Sequence, residues 1–314
     1  MSGILFTYRR KVDFGDCDSA RIYFTPRALD YAVEAVEAWY EDVLGVSWTD
    51  LLHGHDLDVT FARMGCEYFR PVIADQTVHV RVRATGIDQH AVTFSAAGEN
   101  DSGGAFFQAT LVAQFSERRN RSPIPIPARY RERTEACLEQ AGETSVTPAQ
   151  KICGDESFLS RLGPDGVPFT VRRRAVYGDC TVSGTVYAPR LFNYAVEAAG
   201  EWYRETLGIS WREQCIRQRG APFREVRCES LSTLVPGQMI TMAVTIPRLG
   251  NSSIDYDVVG YDDRGEPCFH ALMSACYISE ETGSAKATPF PDELRGRILA
   301  YQAACDTGIT PPSE

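Results

Sequence analysis

At 314 residues the chain is too long for one ordinary domain and comfortable for two of about 150 residues each. Apolar residues at 44% and charged residues at 24% make a globular mixture rather than a disordered one. No apolar run approaches the roughly 18 residues of a membrane span, and a net charge of −10 argues against non-specific nucleic-acid binding.

The opening residues lack the basic-then-apolar order of a secretory signal, so a cytoplasmic protein is expected. Ten cysteines, scattered and without a CxxC pair, read as reduced thiols packed like small apolar residues. The five histidines form no ligand-spaced cluster with them, so neither a metal nor a cofactor is expected. All but three of the 32 basic residues are arginine, a bias that coding preference in a GC-rich genome explains before any phosphate-binding role does.

The chain repeats itself at an offset of 163 residues. Phe14–Trp48 lies over Tyr177–Trp211 without a gap, with 16 of 35 positions identical. All four tryptophans pair off, Trp39 with Trp202 and Trp48 with Trp211. A period this long is a duplicated domain rather than a solenoid. The expected divisions are residues 1–139, a polar linker 140–166 with a short helix near Phe158-Leu159, and residues 167–314.

In chain order each half opens on a strand (Leu5–Phe14; Thr170–Tyr177), then a loop, then a long helix beginning at Pro26 or Pro189. Leu29, Ala32, Val33, Val36, Trp39, Tyr40 and Val43 recur at helical spacing, and Gly45 stops the run. Phe192, Val196, Ala199, Tyr203 and Leu207 repeat that stripe up to Gly208. Four strand-like runs follow in each half: Asp58–Arg70, Gln76–Thr85, Ala91–Gly98 and Ala105–Phe115, then Phe223–Ser232, Gln238–Pro247, Ser253–Tyr261 and Pro267–Tyr277. A single long helix with an antiparallel meander must bury its apolar stripe against the sheet, an α+β layer occurring twice.

The segment FGDCDSARIYFTPRALDY (Phe14–Tyr31) resembles the opening signature of the 4-hydroxybenzoyl-CoA thioesterase family, which has the hotdog fold. Phe69-Arg-Pro-Val-Ile-Ala-Asp and the closing Ile-Pro-Ile-Pro are similar to its downstream pieces. The resemblance implies a tandem, or double, hotdog: family members pair two units so that their sheets join with active sites at the seam, and a duplicated chain makes that pair by itself. A monomer acting as a pseudo-dimer, or a homo-oligomer of it, is expected.

The resemblance also implies thioester chemistry where the loop meets the helix. Attack on a thioester carbonyl builds negative charge on its oxygen, and backbone N–H groups at a helix N-terminus suit that charge. The implied oxyanion donor is the backbone N–H of Thr25, and the implied carboxylate is Asp18, as nucleophile or as general base toward water. Tyr23 and Phe24 close the loop as substrate-binding aromatics. Glu34 and Glu197, eight residues into each helix, are candidates to face the site, beside the plainer reading as solvated or interface glutamates.

The halves differ at the critical turn. Asp16 and Cys17 recur as Asp179 and Cys180, but Asp18 becomes Thr181, which is neither a nucleophilic carboxylate nor a base near neutral pH. The family's glycine is Arg21 in the first half and Gly184 in the second. Arg21 has three open roles: narrowing the pocket, pairing with Asp18, or contacting an anionic substrate. One competent site per chain, near Asp18, is expected, with the Thr181 site degraded or reassigned. Asp16 and Asp179 suit a turn-stabilising role, and Cys17 and Cys180 lack the matched histidine a thiol nucleophile needs. The runs Arg118-Arg-Asn-Arg121 and Arg172-Arg-Arg174 read as strand ends, or as contacts to coenzyme A phosphates or an acidic carrier protein.

Three functions are therefore open. The leading one is hydrolysis of an acyl thioester carried on coenzyme A or an acyl-carrier protein, releasing a biosynthetic intermediate. The second is a dehydratase-like reaction on a thioester-bound chain, disfavoured because neither loop-plus-helix segment contains a histidine. The third is a non-catalytic acyl-binding protein. No nucleic-acid or membrane partner is expected.

Overall fold

The computed structural model describes residues 6–119, 121–141, 168–216, 219–279 and 286–307. Residues 142–166 of the expected linker, with the Phe158-Leu159 helix, lie outside the described residues. By internal contacts the chain divides into one unit of Met1–Lys151 with Thr181–Pro189 and a second of Ile152–Cys180 with Arg190–Glu314.

In the first unit, strands β1 (Phe6–Lys11), β2 (Leu57–Tyr68), β3 (Thr77–Ile87), β4 (Ala91–Glu99) and β5 (Ala105–Glu117) form an antiparallel sheet in the order β1-β3-β4-β5-β2. Helix α1 (Arg27–Trp39) lies on it, with short α2 (Trp48–His55) and α3 (Ala128–Ala141) beside it. The second unit repeats the order. Strands β6 (Thr170–Arg174), β8 (Phe223–Ser230), β9 (Met239–Leu249), β10 (Ser253–Tyr261) and β11 (Pro267–Cys276) run β6-β9-β10-β11-β8. Its long helix is α4 (Ala188–Leu207), followed by α5 (Trp211–Ile216) and α6 (Asp292–Thr307). The two-residue strands β7 (Arg219–Gly220), β12 (Ile278–Ser279) and β13 (Lys286–Ala287) make a small separate sheet. No helix among the described residues is long and apolar enough to cross a membrane.

The helical stripe is buried as its spacing requires. Leu29, Ala32, Val33, Val36, Trp39 and Tyr40 are each at most 1% exposed, and Trp39 meets Phe94 of β4 edge-on at 4.9 Å. Trp202 meets Tyr256 of β10 likewise at 5.6 Å. Burying each of these rings stabilises its unit by on the order of 3 kcal/mol. The end of α1 departs from expectation: Tyr40–Leu44 is a π turn. Within it Leu44, the counterpart of Leu207, lies in the core and Val43 is half-buried. Gly45 (φ +68) and Gly208 (φ +69) then take the left-handed conformation that ends each helix. Arg133 of α3 and Arg297 of α6 donate to the terminal carbonyls of Leu44 and Leu207 in the same way.

Strand boundaries fall within a few residues of those expected, although β1 and β6 stop at Lys11 and Arg174 rather than running on to Phe14 and Tyr177. Strand β9 passes through Pro247 because a bulge between Thr245 and Arg248 leaves that position out of the ladder with β10. Helices α2, α3, α5 and α6 were not expected, although α6 buries Leu294, Ile298 and Tyr301 at helical spacing.

Both sheets share one close fit. Gly98 of β4 sits opposite Phe107 of β5, and Gly260 of β10 opposite Phe269 of β11. A Cβ on either glycine would lie 2.2 Å from the phenylalanine ring. Gly98→Ala is expected to destabilise the protein by about 1–3 kcal/mol through displacement of Phe107. Chemical denaturation would check this, and an unchanged midpoint would show that the ring moves aside freely.

Candidate active site

The loop after β1 is organised by one buried acid. Chain direction reverses through a single 3-10 turn, Phe14–Asp16, and Asp16 is 7% exposed. Its Oδ2 accepts the Asp13 backbone N–H at 3.1 Å and the Tyr31 hydroxyl of α1 at 2.7 Å. Arg10 of β1 and Arg27 of α1 stand 3.8 and 3.6 Å from the same carboxylate. The second unit repeats the device: Tyr194 donates to Asp179 at 2.7 Å and Arg173 lies 3.1 Å away. Burial works against ionisation of Asp179, but the Tyr194 hydroxyl and Arg173 hold its carboxyl below the usual range. Burial and the bond to the acid push the Tyr31 phenol well above its ordinary value.

Beyond Asp16 the loop forms a small hairpin. Phe24 N–H donates to the Asp16 carbonyl at 2.8 Å, Cys17 bridges to Tyr23, and Asp18 N–H donates to the Ile22 carbonyl at 2.9 Å. Arg21 N–H closes the tip on the Asp18 carbonyl at 3.0 Å, and Ala20 N–H donates to Asp18 Oδ1 at 2.8 Å. The tip requires a left-handed residue: Arg21 has φ +65 and Gly184, in the matching turn, φ +78. Glycine, as at Gly184, meets this conformational requirement freely, whereas Arg21 meets it under strain. Its side chain is exposed and makes no ion pair with Asp18.

Asp18 itself is half-buried, and burial raises its carboxyl above the ordinary value against the opposing pull of the Ala20 N–H. Two residues past the buried Tyr23 and next to the half-buried Phe24, Thr25 enters α1. Its carbonyl accepts the Tyr68 hydroxyl at 3.2 Å, and its N–H donates to nothing among the described residues. Pro26 has no N–H, and the next amide, of Arg27, turns back to the Phe24 carbonyl at 2.8 Å. The hairpin beyond Asp16 therefore carries one carboxylate, Asp18, and runs into a backbone donor at a helix N-terminus, Thr25 N–H, that is open among the described residues.

The glutamates are held elsewhere. Glu34 accepts from Tyr8 at 3.2 Å and lies 3.4 Å from Arg10, on the β1 side of α1; burial raises its carboxyl despite these partners. Glu197 is ion-paired to Arg173. One helical step on, Glu37 has no polar partner among the described residues, and burial together with Glu34 pushes its carboxyl up to about 7. The sequence reading missed it, though one signal was present: its counterpart is Gly200.

Thr181 belongs to the first unit by its contacts. Its hydroxyl bonds Ser183 Oγ at 2.8 Å, which bonds Thr185 Oγ1 at 3.0 Å, and Arg121 donates to the Ser183 carbonyl at 2.7 Å. Arg121 is also ion-paired to buried Asp58. This turn is tied into the protein by hydroxyls and a guanidinium, with no carboxylate on it. The neighbouring Arg118 and Arg119 stand 3.9 and 3.8 Å from Asp56, and Arg174 donates to the Gly237 carbonyl. Those arginines are engaged by the protein itself.

No family model matches the sequence, and no curated protein does. Solved structures do match. A 12:0-ACP thioesterase from Umbellularia californica superposes over 88% of this chain and 95% of its own, with 12% identity and a TM-score of 0.67. An acyl-ACP thioesterase from Bacteroides thetaiotaomicron covers 87% and 97% at 11% identity and TM-score 0.63. A provisionally assigned oleoyl thioesterase from Lactobacillus plantarum covers 87% and 96% at 14% identity and TM-score 0.66. At such identities the likeness carries the fold: each half is a hotdog, and the chain is a double hotdog.

Two outcomes are expected from the local costs described. Arg21→Gly removes left-handed strain without removing buried contacts, so stability should rise by about 0.5–1 kcal/mol in thermal denaturation; a fall would show that the arginine side chain is held. For Glu37 the folded-state value lies above the unfolded one. Its ionisation therefore destabilises the fold progressively from about pH 4.5 to 7 and fully above that. Glu37→Gln should raise the melting temperature more at pH 8 than at pH 5, and an equal shift at both would refute the assignment.

Proposed function

We propose that the protein is a thioesterase that hydrolyses an acyl thioester of coenzyme A or an acyl-carrier protein at one site per chain, built around Asp18 and Thr25. The observation that carries this reading is the half-buried carboxylate of Asp18 on the same short hairpin as the open N–H of Thr25. The fold neighbours named as acyl-ACP and oleoyl thioesterases support it, as does the resemblance of Phe14–Tyr31 to the 4-hydroxybenzoyl-CoA thioesterase signature.

In this reading Thr25 N–H receives the thioester oxygen as it gains charge, aided by the α1 dipole. Asp18 Oδ1 is anchored by Ala20 N–H, and Oδ2 takes a proton from water as the water oxygen bonds the acyl carbon. Collapse of the tetrahedral adduct breaks the carbon–sulfur bond, and the proton held by Asp18 returns to the departing thiolate. The raised proton affinity of Asp18 suits a base working nearer neutral pH. Thr181 offers no such group, so the second turn contributes structure.

The test is steady-state thiol release from a panel of acyl-CoA and acyl-carrier-protein thioesters, with circular dichroism to confirm folding. Asp18→Asn is expected to lower turnover by about 10²–10⁴-fold. Thr181→Ala is expected to lower it by less than about tenfold. Undiminished turnover in Asp18→Asn, or a larger loss in Thr181→Ala, would place the chemistry elsewhere.

A further inference from the structure

Two guanidiniums beside the proposed site answer to nothing inside the protein. Arg21 at the hairpin tip and Arg70 after β2 are both exposed, and neither side chain makes an ion pair or hydrogen bond among the described residues. Bonds place them on adjoining segments. Tyr68, two residues before Arg70, reaches the Thr25 carbonyl at 3.2 Å; Val72, two residues after it, accepts the Tyr23 N–H of the hairpin at 2.7 Å. The exposed acids of these segments are already matched, Asp13 standing 3.5 Å from Arg10 and Asp75 2.8 Å from Lys11. Apolar side chains stand out among the two arginines: Phe14 is 91% exposed, Phe69 43% and Ile73 49%.

The duplication separates what the frame explains from what it does not. Phe14 and Ile73 recur as Tyr177 and Val235, which are also exposed, so the apolar points belong to both copies. The cations do not recur: Arg21 is Gly184 in the second copy, and Arg70 is Ser232. Arg21 is moreover held at φ +65, where glycine would stand freely. The copy that carries Asp18 has thus gained two guanidiniums, one of them against the preference of its own backbone. Nothing in the fold calls for either, and both face outward where a partner approaching Asp18 would pass.

We propose that Arg21 and Arg70 dock an acidic carrier protein that presents its acyl thioester to the Asp18 hairpin, with Phe14, Phe69 and Ile73 as the apolar contact among them. The proposal rests on the thioesterase reading and adds the choice of carrier to it. Arginine and aromatic side chains are the ones most enriched at protein interfaces, and opposite charges steer two proteins together. A coenzyme A nucleotide offers phosphates to an arginine, but it is too small to cover three apolar side chains on two loops as well.

The experiment measures kcat/KM for one acyl group carried on an acidic acyl-carrier protein and on coenzyme A, the acyl group being the one released fastest from a panel. Electrostatic steering raises on-rates by about 10–10³-fold, so the double variant Arg21→Gly/Arg70→Ser should lower the ratio of carrier-protein to coenzyme A values by about tenfold or more, mainly through KM. Both substitutions copy residues that the second half already tolerates, and circular dichroism confirms folding. Added salt should lower the carrier-protein value steeply in the unaltered protein and much less in the variant. A control, Arg119→Ser/Arg224→Ser, removes the same charge from other exposed positions and should leave the ratio unchanged. An unchanged ratio in the Arg21/Arg70 variant, whether both values hold or both fall together, overturns the docking role and leaves the thioesterase reading standing. So does an equal fall in the control, which would mark a general effect of net charge. Cosedimentation with anionic phospholipid vesicles that the Arg21/Arg70 variant loses, with no change in the ratio, would assign the arginines to a lipid surface instead. No thiol release from either carrier overturns both readings.

Discussion

Everything in the loop-and-helix segment depends on a carboxylate that is out of water and cannot be left unpaired. Asp16 is 7% exposed, and a buried carboxylate is tolerable only where donors and cations surround it. Those donors come from three elements at once: Arg10 from β1, Asp13 N–H from the turn, Tyr31 and Arg27 from α1. The acid therefore fixes the edge strand, the turn and the helix in one geometry. Its backbone carbonyl, accepting Phe24 N–H, adds the returning leg of the hairpin. A loop that would otherwise be mobile is held with its tip and its helix-entry residue in set positions.

The same arrangement around Asp179, with Arg173 stacked 4.3 Å over the Tyr194 ring, shows that this interaction survives duplication when the residues it serves do not. Turn geometry is also common to both halves, since the Thr181–Thr185 turn closes through the same backbone bonds as Asp18–Ile22. What differs is the side chain placed on that frame. A carboxylate anchored by one backbone N–H occupies the first turn, and a run of mutually bonded hydroxyls secured by Arg121 occupies the second. Frame and side chain have separated within one chain, as expected when a fold is a scaffold onto which sites are grafted.

This separation explains which features were legible in the amino-acid sequence. The long helices, the meanders and the duplication follow from strong periodicities and a 163-residue offset, because burial against a sheet dictates them position by position. Asp18, Arg21 and Thr25 were legible only through the resemblance of Phe14–Tyr31 to a known signature. Helices α2, α3 and α6 were not: each is short on apolar residues or interrupted by polar ones, and contacts distant in sequence, such as Arg133 on the Leu44 carbonyl and the burial of Leu294, Ile298 and Tyr301, hold them in place. Nor was the state of Glu34, Glu37 and Tyr23: each stands at an ordinary helix or loop position, and partners far away in sequence decide whether it is paired. The pairing of Arg121 with Asp58, 63 residues away, is likewise announced by no local pattern.

Three unfavourable features sit in the same short stretch of the first half, and the second half avoids each of them. Arg21 is held at φ +65 where the other turn has Gly184; Glu37 is driven to ionise only near pH 7 where the other helix has Gly200; Tyr23 buries a hydroxyl unpaired among the described residues where the other loop has Val186. Each costs on the order of 1 kcal/mol or more. In a chain whose whole stability is about 5–15 kcal/mol, such features are retained at one copy of a duplicated segment only if something other than folding selects for them. Selection for stability alone would have drawn both halves toward the Gly184, Gly200 and Val186 solution. The half that departs from it is the half that carries Asp18, and strained backbone and unsatisfied polar groups there agree with the site proposed at that loop.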